Sequence, residues 1–143
     1  GLGDVYKRQG YAYAGMFKDR AAYRWAVETT VYVREDMKKM GTGRELYAAL
    51  EKILSMQNIL NLNACIAYPC EAEDPYLTRD SVQFHKRLGY QFAGKFHRCG
   101  YKFGRWYHMI WMEKFLGGHT ENPPAVKSFG EVRSLIADKL GIW

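Results

Sequence analysis

The sequence predicts an α+β domain. Three features carry that reading: runs rich in Tyr, Trp, Val and Thr whose side chains alternate, stretches whose apolar residues recur at helical spacing, and glycine-punctuated polar segments between them. The 143 residues, 48% hydrophobic and 25% charged, suit one domain. A chain of this length buries a core without disulfide or metal staples.

The first nine residues, GLGDVYKRQ, show neither strand alternation nor a helical stripe and abut an abrupt β-like run at Gly10. Residues 1–9 read as a non-native leader, with the native chain expected to continue upstream. Two antiparallel strands are expected from Gly10 to Ala14 and from Tyr23 to Val33, with MFKDRAA between them carrying charge. The second strand sets Trp25, Val27, Thr29, Val31 and Val33 on one face. Glu28 falls mid-strand on the other, where carboxylates are uncommon. After the polar loop REDMKKMGTG, residues Leu46, Leu50, Ile53 and Leu54 mark an amphipathic helix starting near Thr42. ILNLNACIAY alternates again and predicts a strand on which Cys65 reads as a packing residue. Strand, glycine loop, helix and strand make one crossover unit.

PCEAEDPYLTRD is a loop with Pro69, Pro75 and four acids. SVQFHKRLG reads as a short helix with Val82, Phe84 and Leu88 inward and Gly89 at the left-handed stop position. YQFAGKF and RWYHMIWMEKF are two further strands, joined by a loop containing HRCGYKFG, where Gly100 and Gly104 permit turning. Residues 10–116 thus form the core of the domain. Residues 117–143 divide into a breaker-rich linker, GGHTENPP, and a helix opened by Ser128 and Glu131 in capping-box spacing, apolar along Val132, Leu135, Ile136 and Leu140.

Lys and Arg number 21 against 15 Asp and Glu, and the net charge of +6 favours anionic partners such as nucleotides, phosphorylated cofactors, nucleic acids or lipid surfaces. No run approaches the ~18–20 apolar residues of a membrane span, and the start does not resemble a signal peptide. The three cysteines, Cys65, Cys70 and Cys99, are odd in number and form no CxxC pair, which fits a reduced, cytoplasmic setting. No pair among them and His85, His97, His108 and His119 has zinc-like spacing, so no metal is expected.

The most informative segment is KKMGTGRELY, between an apolar strand and an amphipathic helix. Two glycines let backbone amides face outward, and the helix N-terminus adds partial positive charge, a combination that cradles phosphate oxygens. Lys38, Lys39 and Arg44 would surround a diphosphate with full charges. The pattern is neither Walker A nor GxGxxG, and a glycine turn before a surface helix is the alternative.

VYVREDMKKMGTGRELYAAL resembles the acetyl-coenzyme A motif [RQ]xxGx[GA] of the GNAT N-acetyltransferase superfamily, with Lys38 at the Arg or Gln position and Gly41 and Gly43 matching. GYAYAGMFKDRAAYRWAVETTVYV, SVQFHKRLGYQFAGKF and GYKFGRW follow the order of its phosphinothricin and methionine sulfoximine acetyltransferase branch, from Gly10 to about Phe115. The resemblance implies a mixed, mostly antiparallel sheet flanked by helices, with an added C-terminal helix. Coenzyme A would enter between two splayed parallel strands, Thr29 to Val33 and Leu60 to Tyr68. The family's N-terminal elements, about two helices and one or two strands, would be missing ahead of Gly10.

By that resemblance, Val31, Tyr32 and Val33 bind the pantetheine, and Lys38, Lys39, Met40, Gly41, Thr42, Gly43 and Arg44 hold the diphosphate. Thr78 stands where the branch often has an Asn that contacts coenzyme A. The implied reaction is acetyl transfer from acetyl-CoA to a small amino-acid-like amine by direct attack in a ternary complex. Glu28 falls at the proposed catalytic glutamate of AYxWxxExxVYV; a sheet carboxylate paired to Arg24 or Arg20 is its other reading. His85 falls where the superfamily often places a tyrosine that protonates the coenzyme A sulfur, and an imidazole with a pKa near 6.5 suits that role. A partly buried helix histidine with one hydrogen-bond partner is the alternative. Arg20, Tyr23 and Arg24 align with a substrate-proximal FxxRxAYxW segment, against a solvated hairpin with Tyr23 in the core. Phe103 stands where the phosphinothricin enzymes typically show the histidine of KHG near the substrate, a departure that leaves herbicide-type specificity open.

Two rival functions remain at this stage. One is a protein N-terminal or lysine acetyltransferase. The other is a nucleic-acid-binding module, because Lys95, Arg98, Lys102 and Arg105 interleave with Phe96, Tyr101, Phe103, Trp106 and Tyr107. No RNP, KH or helix-turn-helix signature supports the second. The C-terminal helix reads as structural or as a homodimer contact.

Overall fold

The computed structural model describes residues 10–33 and 41–140, with residues 136–140 described by backbone alone. The leader, Lys38, Lys39, Met40 and Trp143 lie outside the described residues. In chain order the elements are β1 (Gly10–Met16), β2 (Ala26–Val33), α1 (Thr42–Met56), β3 (Asn61–Pro69), α2 (Asp80–Arg87), β4 (Gln91–Lys102), β5 (Arg105–Phe115) and α3 (Phe129–Leu140). The five strands form one mixed sheet in the order β1-β2-β3-β5-β4, which is the expected α+β class. No helix among the described residues is long and apolar enough to cross a membrane. The chain divides into two compact units, one built from residues up to Leu62 and from Phe115 onward, the other Asn63–Lys114.

In the first unit β1 and β2 pair antiparallel, with Gly10 opposite Val33 and Met16 opposite Val27. Alternation holds on β2: Val27 and Thr29 are buried and Tyr32 is exposed. The strand starts at Ala26 rather than Tyr23, because Ala21–Tyr23 close a 3-10 turn in which the Tyr23 and Arg24 amides donate to Arg20 and Ala21. Paired alanines favour helical backbone over strand. Helix α1 buries Leu46, Tyr47 and Leu54, while Leu50 and Ile53 of the expected stripe are half-buried. It packs on β1, β2 and α3.

The expected linker is a pinned strap. The Trp25 indole donates to the Pro124 carbonyl at 2.9 Å, the Asn58 amide to Ala125 at 2.9 Å and the Gln57 amide to Lys127 at 3.0 Å. His119 lies 2.7 Å from the Asn61 side-chain oxygen and edge-on to Phe115. Prolines remove backbone donors, so the strap's free carbonyls are met by side chains from earlier in the unit. The Ser128 hydroxyl accepts the Glu131 amide at 3.2 Å, which completes half of the capping box, and Val132 is buried.

In the second unit β3 buries Ala64 and Ile66. Cys65 is exposed, contrary to the expected packing role, because period-two alternation turns it away from those neighbours. Helix α2 buries Val82 and His85, whereas Phe84 and Leu88 are only half-buried. It ends at Gly89 with φ +96°, and the Lys114 ammonium donates to the Leu88 carbonyl at 2.6 Å. The expected loop at HRCGYKFG is mostly strand. β4 runs to Lys102, and Phe103 and Gly104, with φ of +57° and +70°, make the two-residue turn into β5. Gly100 sits in the ladder opposite Tyr107. Between Phe96, opposite Met109, and Gly100, three residues of β4 face one residue of β5, His108.

Candidate active site

In the first unit the site residues fall on one antiparallel ribbon, its connecting turn and one helix start. Glu28 is half-buried mid-β2, opposite Gly15, and no ion pair joins it to Arg20 or Arg24. Arg20, Tyr23 and Arg24 lie in and beside the 3-10 turn, all exposed, with Tyr23 at 49% rather than in a core. Val31, Tyr32 and Val33 close β2 opposite Ala12, Tyr11 and Gly10. Tyr32 stacks on Tyr11 at 5.4 Å.

Gly41 precedes α1 in the left-handed region at φ +79°, a state that favours glycine, and no side chain caps the helix. Its carbonyl accepts the first intrahelical bond, from the Glu45 amide at 3.0 Å. The amides before Glu45 have no partner inside the helix by its geometry. Thr42 and Gly43 are buried and Arg44 is exposed. The chemistry of an anion cradle is therefore present: first-turn amides, the positive end of the helix dipole and one solvent-facing guanidinium.

In the second unit Thr78 is exposed, its hydroxyl accepts the Asp80 amide at 3.3 Å, and it lines a cavity of about 680 Å3 with Asp74, Leu77, Arg79 and Arg105. His85 is 3% exposed and its Nδ1 lies 2.7 Å from the Ser81 carbonyl. A carbonyl only accepts, so Nδ1 carries the proton and Nε2 is the nitrogen that gains or loses one. The Phe84 and Tyr90 rings stand edge-on to the imidazole. Burial pushes its pKa below the ordinary imidazole value, against the Ser81 bond, and His85 is neutral at pH 7. Phe103 is exposed at the hairpin tip and stacks on Tyr76 at 4.6 Å.

Sequence reasoning missed the network around Asp74. Its Oδ1 accepts the Tyr76 and Leu77 amides at 2.8 and 3.1 Å and the Tyr107 hydroxyl at 3.3 Å. Arg105 reaches Asp74 at 3.8 Å and Glu71 at 3.0 Å. Desolvation raises the Asp74 pKa, but these donors and Arg105 outweigh it and hold the carboxyl below its ordinary range. Burial and Asp74 push the Tyr107 phenol up. The Asp74-Pro75 pair announces a turn with a side-chain acceptor, whereas its distant partners have no local signal.

Residues 7–111 match the acetyltransferase (GNAT) domain family. The chain belongs to the GNAT acetyltransferase family. Among this GNAT chain's relatives is the phosphinothricin N-acetyltransferase of Streptomyces viridochromogenes, 39% identical over 107 residues that cover 74% of this chain and 54% of that protein. Another is the L-methionine sulfoximine/L-methionine sulfone acetyltransferase of Pseudomonas paraeruginosa, 33% identical over 104 residues, covering 73% of this chain and 56% of that protein. The fold matches a phosphinothricin acetyltransferase of Sinorhizobium meliloti in complex with acetyl-CoA, with a TM-score of 0.67 at 28% identity over 85% of this chain and 64% of that one. The GNAT chain spans about half the length of the curated relatives it matches.

Proposed function

We propose that this GNAT chain carries the machinery that moves an acetyl group from acetyl-CoA to the primary amine of a small amino-acid-like molecule in a ternary complex. The observation that carries this reading is the start of α1: a left-handed Gly41, uncapped first-turn amides and an exposed Arg44, in the segment that resembles the family's diphosphate motif. Lys38, Lys39 and Met40 complete the motif in sequence. The relatives' names favour amino-acid-like acceptors over protein substrates. Residues 10–116 are assigned the transfer chemistry and residues 117–143 a structural role.

Acetyl-CoA supplies an activated acyl group: its C–S bond breaks as the amide C–N bond forms, one proton leaves the amine and one reaches the sulfur. Glu28 is assigned the amine proton, from a half-buried position without an arginine among the described residues to neutralise it. Val31, Tyr32 and Val33 supply strand backbone to the pantetheine, and Thr78 a hydroxyl. Arg20, Tyr23 and Arg24 are assigned to acceptor recognition, with Phe103 as an apolar wall. His85, neutral and bonded through Nδ1, is assigned to the sulfur as a relay that accepts a proton at Nε2 before giving one up.

Isothermal titration of acetyl-CoA into the chain tests the reading. Binding is expected in the wild type, weakened at least about tenfold in Gly41→Val, where a β-branched residue must adopt φ +79°. It is expected intact in Glu28→Gln. Absence of binding in the wild type would overturn the reading. It would favour the nucleic-acid alternative, which one observation supports: Phe96, Tyr101, Phe103 and Trp106 are all exposed beside Lys95, Arg98 and Lys102.

A further inference from the structure

We propose that the cavity under the β4–β5 hairpin binds a small amino-acid-like zwitterion, with Arg98 taking its carboxylate, Glu71 facing its ammonium and His108 acting as the positioning residue for Arg98. The cavity measures about 290 Å3 and is lined by Glu71, Asp74, Arg98, Gly104, Arg105 and Trp106 among others. That volume suits one small molecule with few polar groups fixing its orientation.

The charges in this lining are unequally committed. Arg105 is held by Glu71 and Asp74, and the Asp74 side chain, 3% exposed, already accepts from two amides and a phenol. Arg98 makes no ion pair among the described residues, and the Glu71 side chain remains 71% exposed despite its bond to Arg105. One uncommitted guanidinium and one accessible carboxylate are complementary to a carboxylate and an ammonium carried on a single small molecule.

Arg98 does not reach the cavity by relaxed strand geometry. It is the middle residue of the three that bulge opposite His108, and its φ is +48°, a state that residues with long side chains rarely adopt. Strain of this kind persists where the surroundings over-determine it, and it concentrates at ligand clamps. The clamp is visible: the Arg98 amide, which a bulge removes from the ladder, donates to His108 Nδ1 at 3.0 Å. An imidazole thus replaces the missing backbone acceptor, and only its form with Nδ1 unprotonated can do so. Burial, then Lys95, His97 and Arg98, hold His108 below the ordinary imidazole pKa and favour that form. These three are the charged and titratable groups acting on His108 among the described residues, and His97 stands edge-on to it at 5.3 Å.

The test is an NMR titration of the whole chain with L-methionine sulfone, its decarboxylated amine and its N-acetyl derivative, read at the Gly104 amide and Trp106 indole resonances. The free amino acid is expected to give saturable shifts. Its affinity should fall about ten- to a hundred-fold in Arg98→Gln, with intermediate binding in Arg98→Lys, and the amine and the N-acetyl derivative should bind more weakly than the amino acid. His108→Leu should lose binding with Arg98→Gln. Acidification is expected to weaken wild-type binding as His108 Nδ1 is protonated, and His108→Asn, whose Oδ1 replaces Nδ1 as acceptor, should keep binding and lose that pH dependence. Shifts that are absent in wild type, or equal in wild type and Arg98→Gln, would overturn the proposal. The readout needs no turnover, so failure of acetyl transfer leaves it standing. In an acetylation assay, a raised KM in Arg98→Gln identifies the ligand as the acceptor, and an unchanged KM identifies a separate ligand site.

Discussion

Glu28 is the proposed acceptor of the amine proton, and its environment makes a sharp expectation. A strand carboxylate paired to arginine would serve stability, but neither Arg20 nor Arg24 is bound to it, and it is half-buried. Glu28→Gln keeps the shape and removes the base, so kcat for an accepted amine should fall about 10²–10⁴-fold while acetyl-CoA affinity is unchanged. Thiol release measured against amine concentration checks this, and an undiminished kcat would remove Glu28 from the chemistry. Glu28 was singled out in the sequence by its place in the family-like AYxWxxExxVYV pattern, since a carboxylate in an alternating strand reads by itself as a sheet ion pair. Asp74, Arg98 and His108 were not legible. The partners of Asp74 include Tyr107, 33 residues away, and Arg98 meets His108, ten residues away, across a three-residue bulge.

At the scale of elements, β2, α1 and β3 followed from periodicity because each has one buried face, which forces a period of two or 3.6 on its side chains. The β4–β5 hairpin did not. β4 is exposed or half-buried along its whole length, so no buried face imposes a pattern, and its glycines looked like turn residues. The ribbon of β1 and β2 offers a test of close packing. A Cβ at Gly10 would collide with the Tyr32 carbonyl oxygen and lie 2.8 Å from the Val33 Cα, both backbone atoms that cannot rotate away. Gly10→Ala should therefore cost about 1–3 kcal/mol, seen as a lower urea midpoint at constant slope. The same variant should weaken acetyl-CoA binding if the end of β2 holds the pantetheine.

For the whole molecule, the two histidines with depressed pKa set the direction of pH dependence. The unfolded chain binds protons at ordinary imidazole values while folded His85 and His108 resist them. Their contribution is complete above about pH 6.5 and is lost as the pH falls through their folded values. Urea midpoints between pH 8 and 5 should fall on the acid side, more shallowly in His85→Phe, and an unaltered slope in that variant would show that His85 is not the source. What the sequence determined by itself was the class of fold, the order of its elements, the glycine start of α1 and the family resemblance. All of these rest on neighbours within a few residues or on ordered blocks along the chain. Only the tertiary structure decided that His85 is buried and neutral, that 117–127 is a pinned strap and that Arg98 is clamped in a strained bulge. Burial and hydrogen-bond partners belong to groups that meet across the fold, and their free energies appear only once chain distance has been closed into spatial distance.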